Sequence, residues 1–370
     1  KKPVSIFEFK SRTGLPMELS KIVYSYASLD NKTIRIAIKE WKNNRTECEK
    51  KYGPISLWCV SNVSDMSNLF CGMKNFNEDL SSWDVSNVIN MSSMFLGCKH
   101  FNQNLSSWSV SKVKDMSYLF CGCENFNKDL SLWDVSNVYN MKDMFMRCIT
   151  FNQNLNSWNV SNVRNMTSMF GTCFSFNKDL SLWDVSKVEI MDYMFGECRA
   201  FNQNLNSWNV SNVRSMNSMF SECIRFNQSL NSWNVSNVIC MSSMFFCCKS
   251  FNSNLNSWDV SNVNNMDYMF YKCVTFNKNL NSWNVSKVKS MSNMFYDCVM
   301  FNGNLSSWNV FNVEYMDCMF YNCKMFNQDL SSWNMFNVKN IRNMFCHCEL
   351  LEQLQDLSYL NLLNNVISGR

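Results

Sequence analysis

The sequence has little glycine, proline or histidine: nine, three and two of 370 residues. Nine scattered glycines build neither a phosphate-cradling loop nor a nucleophile elbow, and neither motif occurs. The two histidines, His100 and His347, stand nearly ten repeat lengths apart, too far to share a site in one chain. Charged residues make up only 17%, and no stretch approaches the ~20 apolar residues that a membrane-spanning helix needs. These absences argue against catalysis and a membrane span. With 46% hydrophobic residues, the composition is that of a folded, soluble, intracellular protein. No signal peptide is visible in the sequence from Lys1 onward.

What is abundant is repetition. Tryptophans stand at Trp58, Trp83, Trp108 and onward to Trp333, always 25 residues apart. A fixed period between about 20 and 50 residues marks a solenoid, whose units bury their apolar faces only by stacking on one another. Within one unit, Trp108 and Val110 alternate as in a short strand, while Met116, Leu119, Phe120 and Cys123 follow the i, i+3, i+4, i+7 spacing of a helical turn. The fold class expected is an α/β repeat solenoid of leucine-rich-repeat type, each coil a short strand and a short helix, with helical caps at both ends. The expected organisation is a basic helical cap over 1–54, twelve coils over 55–350 and a helical cap over 351–370.

Polar residues repeat as strictly as apolar ones. Asn102, Asn127, Asn152, Asn177, Asn202, Asn227, Asn252, Asn277 and Asn302 each follow a column phenylalanine. An amide carries both a donor and an acceptor, so a stack of them can bond neighbouring coils through backbone groups otherwise left unpaired. Eleven of the 19 cysteines form another column, from Cys98 to Cys348. Equal places in successive coils suit reduced, packed thiols rather than disulfides. Pairs such as Cys121/Cys123, Cys247/Cys248 and Cys346/Cys348 lack the two-residue gap usual between zinc ligands, so neither metal nor cofactor is expected.

The units "WDVSNVINMSSMFLGCKHFNQNL" and "WNVSNVRNMTSMFGTCFSFNQNL" resemble the 25-residue repeats of the BspA-like leucine-rich-repeat family, found in mycoplasma surface proteins, protists and large DNA viruses. The frame W-x-V-S-x-V-x-x-M-x-x-M/L-F-x-x-C-x-x-F-N holds in almost every copy over roughly 55–350. The resemblance implies a solenoid with a binding or structural role and no catalysis. The setting expected from it is a virion or capsid-associated component of a large DNA virus, in a virion or host cytoplasm. Two alternatives stay open: a cytosolic adaptor, because "LPMELSKIVYSY" is weakly similar to the start of an F-box, and a cell-surface adhesin.

Residues 1–57 hold 12 Lys and Arg against 6 Asp and Glu, a basic head on a nearly neutral column. No dense basic run with interleaved aromatics marks a nucleic-acid site, and no small-molecule substrate is expected. The partners expected are other proteins, such as capsid or assembly subunits. Aromatic and thioether side chains gather only in the later coils: Phe246, Tyr271, Tyr296 and Tyr321 in one column, Val274, Val299, Met300 and Met325 in a neighbouring turn, and Phe311 and Phe336 where other coils carry serine. Such residues are enriched at protein interfaces. The alternative is lateral packing that closes the wall of the solenoid.

Overall fold

The computed structural model describes residues 28–353. They form a right-through stack of 25-residue coils joined by parallel bridges, Asp65 to Asn90, Asn90 to Asp115, Asp115 to Asn140 and so on to Asn340. Each coil turns its apolar residues inward: Leu105, Trp108, Val110, Val113, Met116, Leu119, Phe120, Cys123 and Phe126 are all buried. Like stacks on like. Trp108 and Trp133 lie 6.4 Å apart, Phe95 and Phe120 5.6 Å, Phe101 and Phe126 6.0 Å, all with nearly parallel rings. Full burial of one large apolar side chain is worth about 1.5–3 kcal/mol, so the repeated columns are the chief source of cohesion.

The coils contain neither the expected helix nor the expected strand at Trp108 and Val110. In the segment read as helical, the N–H groups of Met116, Tyr118, Phe120 and Gly122 donate to Asn140, Lys142, Met144 and Met146 of the next coil, at 2.7–3.0 Å. The N–H groups between them, of Leu119, Cys121 and Cys123, fold back on Met116, Tyr118 and Phe120 as tight turns. Tyr118 (φ 58°) and Gly122 (φ 74°) are left-handed, which interrupts a helix within one turn. Two successive four-residue turns place the same residues inward as a helix would, so the apolar spacing was read correctly as a buried face and wrongly as an element. The single bridge position, Asp115, lies seven residues after Trp108.

On the Trp108 side the backbone folds on itself instead: Trp108 N–H donates to Leu105 and Val113 N–H to Val110. Adjacent coils are linked there by side chains. The Trp108 indole N–H donates to the Leu80 carbonyl at 2.9 Å, the Asn137 amide to the Ser111 carbonyl at 2.7 Å, and the Asn127 N–H to Asn102 Oδ1 at 3.0 Å. Side chains do here what a backbone ladder does in a sheet, which is why so many polar positions recur unchanged.

At the amino end, α1 (Thr33–Asn43) and α2 (Arg45–Tyr52) cover the first coil. Ile34, Ala37 and Ile38 of α1 are buried, and Trp41 meets Phe76 edge-on at 5.7 Å. Asn44 caps α2 by accepting from the Glu47 N–H, and Gly53 ends it with φ 75°. Arg45 bridges the cap to the first coil through Glu78 at 2.7 Å, and Arg35 through Asp65 at 3.1 Å. At the other end α3 (Glu349–Gln353) follows the last coil. The F-box-like stretch and most of the carboxyl-terminal leucine-rich segment lie outside the described residues.

Candidate protein-binding surface

One wall of the stack changes character along its length. In the earlier coils it carries ion pairs: Lys99 with Glu124 at 2.7 Å, and Arg199 with Glu197 at 3.4 Å and Glu222 at 3.8 Å. From Phe246 onward the same wall gains a row of stacked aromatic rings, and Lys324 and Glu349 remain ion-paired at its far end at 2.7 Å. Phe246 stacks on Tyr271 at 4.7 Å, Tyr271 on Tyr296 at 4.7 Å and Tyr296 on Tyr321 at 4.5 Å, and His347 closes the row edge-on at 5.1 Å. The four rings are half-buried. Val274 and Val299 are half-buried beside them, whereas Met300 and Met325 are 49% and 47% exposed.

The structure brings these eight residues onto one wall but not Phe311 and Phe336. Those two follow buried Val310 and Met335, and the bridge residues Tyr315 and Asn340 separate them from the tyrosine row along the chain. They are 43% and 79% exposed and occupy the same place in adjacent coils, apart from the tyrosine row. Stacking of the tyrosines also gives the row a share in stability, roughly 0.5–1.5 kcal/mol per pair.

The asparagine column runs without a break. Each Oδ1 accepts the backbone N–H of the asparagine one coil on, from Asn77 to Asn102 at 2.9 Å through Asn202 to Asn227 at 2.9 Å and Asn302 to Asn327 at 3.1 Å. Several also accept from the glutamine that follows, as Asn127 does from Gln153 Nε2 at 2.8 Å. The cysteine column has a feature not read from sequence: each thiol donates to a phenylalanine carbonyl of the preceding coil, as Cys123 does to Phe95 at 3.1 Å and Cys223 to Phe195 at 2.9 Å. Burial drives these thiols upward, Cys98 to about 12, which keeps the proton that makes the bond. No disulfide links any of the cysteines. Among the described residues no three His, Cys, Asp or Glu side chains are placed to hold a metal ion, and no helix is long and apolar enough to cross a membrane.

Solved structures similar to the chain include a leucine-rich repeat protein from Bacteroides ovatus, at 13% identity and a TM-score of 0.28 over 71% of this chain and 80% of that one. A chain of the Drosophila Toll–Spätzle complex matches at 10% identity and a TM-score of 0.23, over 69% of this chain and 42% of that one. A plant peptide hormone receptor, RGFR1 in complex with RGF2, matches at 7% identity and a TM-score of 0.18, over 74% and 48%. At these scores the superpositions are loose, and the solenoid is defined by its own coils. No curated protein matches the sequence. The profile of the family described as "Mycoplasma protein of unknown function, DUF285" matches residues 39–155, 108–206, 128–228, 176–273 and 248–359, and so covers most of the chain. The chain belongs to the DUF285 family.

Proposed function

We propose that this protein is a non-catalytic, protein-binding solenoid that engages its partner through the wall of its later coils. The observation that supports the reading is the switch on that wall, from Phe246 onward, to a row of stacked tyrosines flanked by exposed Met300 and Met325. The buried columns are the same before and after the switch, so stacking of coils does not require it. Aromatic rings and flexible thioethers gain affinity when a partner desolvates them. As a setting we propose a virion or capsid-associated role in a large DNA virus, on the sequence resemblance alone.

Crosslinking mass spectrometry in the native source tests both parts. Lys272 and Lys324 flank the tyrosine row, so their crosslinks should lead to one recurrent partner protein. Crosslinks confined to coils before Phe246 would reject the wall, and absence of the chain from purified virions would reject the setting.

A further inference from the structure

A second surface, apart from the tyrosine wall, is a groove of about 1010 Å³ that runs lengthwise from Arg164 to Asn312. It lies between two outward columns that flank a buried valine, beside the parallel bridges. Its cations are Arg164, Lys187, Arg214, Lys287 and Lys289, against one acid, Glu189. Glu189 is already paired with Arg164 at 3.1 Å, and Glu314, the next acid of that column, with Lys339 at 2.5 Å. Arg214 makes no ion pair among the described residues.

The groove's asparagines decide what kind of anion fits. Asn212, Asn237 and Asn312 each commit Nδ2 to the serine carbonyl of the preceding coil, at 2.6, 2.7 and 2.8 Å. A reversed amide would set carbonyl against carbonyl, so the orientation is fixed and Oδ1 is the atom left for a ligand. Lysines take this acceptor elsewhere in the column: Lys187 on Asn162 at 2.7 Å and Lys287 on Asn262 at 2.6 Å. The groove therefore offers cations and fixed acceptors together. A DNA phosphodiester backbone has no donors and would set its oxygens against these acceptors, and a sulfated sugar chain offers only scattered hydroxyl and N–H donors among its sulfates, whereas a peptide supplies regularly spaced N–H groups to the acceptors and carboxylates to the cations. No aromatic side chain lines the groove, so it lacks the stacking platform on which single-stranded nucleic acids rely. Ile239, 47% exposed, stands between Arg214 and Lys289. Those two cations are three coils apart, ~14 Å at ~4.8 Å per coil, which is the length of about four residues of extended chain.

We infer that this groove binds an extended acidic peptide segment with an apolar residue between two carboxylates, the carboxylates meeting Arg214 and Lys289 and the apolar side chain resting on Ile239. The test uses the full chain and three fluorescent probes: a peptide of Glu and Gly with one central Leu, a single-stranded oligodeoxynucleotide of equal charge, and a heparin-type oligosaccharide of equal charge. The peptide should bind at least tenfold more tightly than either polymer. Arg214→Gln with Lys289→Gln should weaken it about tenfold or more, with an unchanged melting temperature reporting an intact fold. Met300→Ser with Met325→Ser should leave it unaltered, which separates this site from the wall proposed above. Equal or tighter binding of either polymer, no measurable peptide binding, or peptide binding indifferent to the groove substitutions would overturn the inference.

Discussion

The ring of Tyr193 lies across Gly196, so closely that a Cβ on the glycine would stand 2.4 Å from the ring. A Cβ on Gly171, one coil earlier, would stand 2.9 Å from the same ring. These glycines occupy the column that later holds Phe246 and the tyrosines, so Tyr193 fills from the side the space that those residues fill from above. Its hydroxyl is held by Glu197 at 2.8 Å. Gly196→Ala should lift the ring and cost about 1–3 kcal/mol, and most of that cost should vanish in a Tyr193→Ser background. A double-mutant cycle with no coupling would show that the ring does not depend on the glycine.

The amide column makes a sharper demand on stability. Asn202 Oδ1 accepts from the Asn227 N–H at 2.9 Å and from Gln228 Nε2 at 3.1 Å. Asn202→Ala leaves the Asn227 N–H without its acceptor and should cost roughly 1–3 kcal/mol. Arg214→Ala, at an outward position, should cost about 0.5 kcal/mol or less. Equal shifts in denaturation midpoint for the two would count against side-chain bonding as the link between coils.

Left-handed positions offer a gain. Gly122 has φ 74°, but the next coil places Arg147 at the equivalent position with φ 62°. A side chain in that region costs roughly 1–2 kcal/mol, while glycine loses about 0.5–1 kcal/mol of its own through backbone entropy. Arg147→Gly should therefore stabilise by up to about 1 kcal/mol, and Gly122→Ala should destabilise. Urea unfolding of both variants checks the opposite signs.

Asp143 is a buried carboxylate whose pKa is raised by its removal from water. With the folded pKa above the unfolded value, the charged form opposes folding at neutral pH, and that opposition fades as pH falls through the folded pKa. Asp143→Asn should melt higher than the parent at pH 7, with the difference shrinking on acidification. A difference that is constant with pH would assign the effect to something other than the charge.

Thiol reactivity separates column from surface. Cys59 is exposed, and its pKa is lowered by hydrogen bonds, first from Ser61, so it reaches the reactive thiolate at lower pH than an ordinary cysteine. A thiol reagent should label Cys59 first and the buried column only on unfolding. Cys59→Ser should remove the fastest phase; rapid labelling of Cys173 or Cys223 in the native protein would contradict the buried column.

The period, the buried columns and the amide stack were legible in the sequence because every coil must offer the same shape to the next. The Met116–Cys123 segment was misread because two consecutive tight turns and one helical turn bury the same residues; the left-handed φ of Tyr118 and Gly122 and the N–H groups donated to the next coil tell them apart. Three of the second left-handed positions are glycine, Gly72, Gly97 and Gly122, a signal visible in the sequence at a 25-residue spacing. The groove left a fainter trace. Lysine and arginine recur at two alternate positions around a buried valine, but that its acceptors face outward depends on which way each amide is turned, which composition does not record.

The most direct measurement is made on Met300→Ser with Met325→Ser, two exposed residues that lend the stack little support, compared with the parent in the native source. Quantitative crosslinking from Lys272 and Lys324 to the partner should fall several-fold, while the melting temperature stays within about 2 °C, as expected for surface substitutions. Undiminished crosslinks at unchanged stability would contradict a partner seated on the later coils.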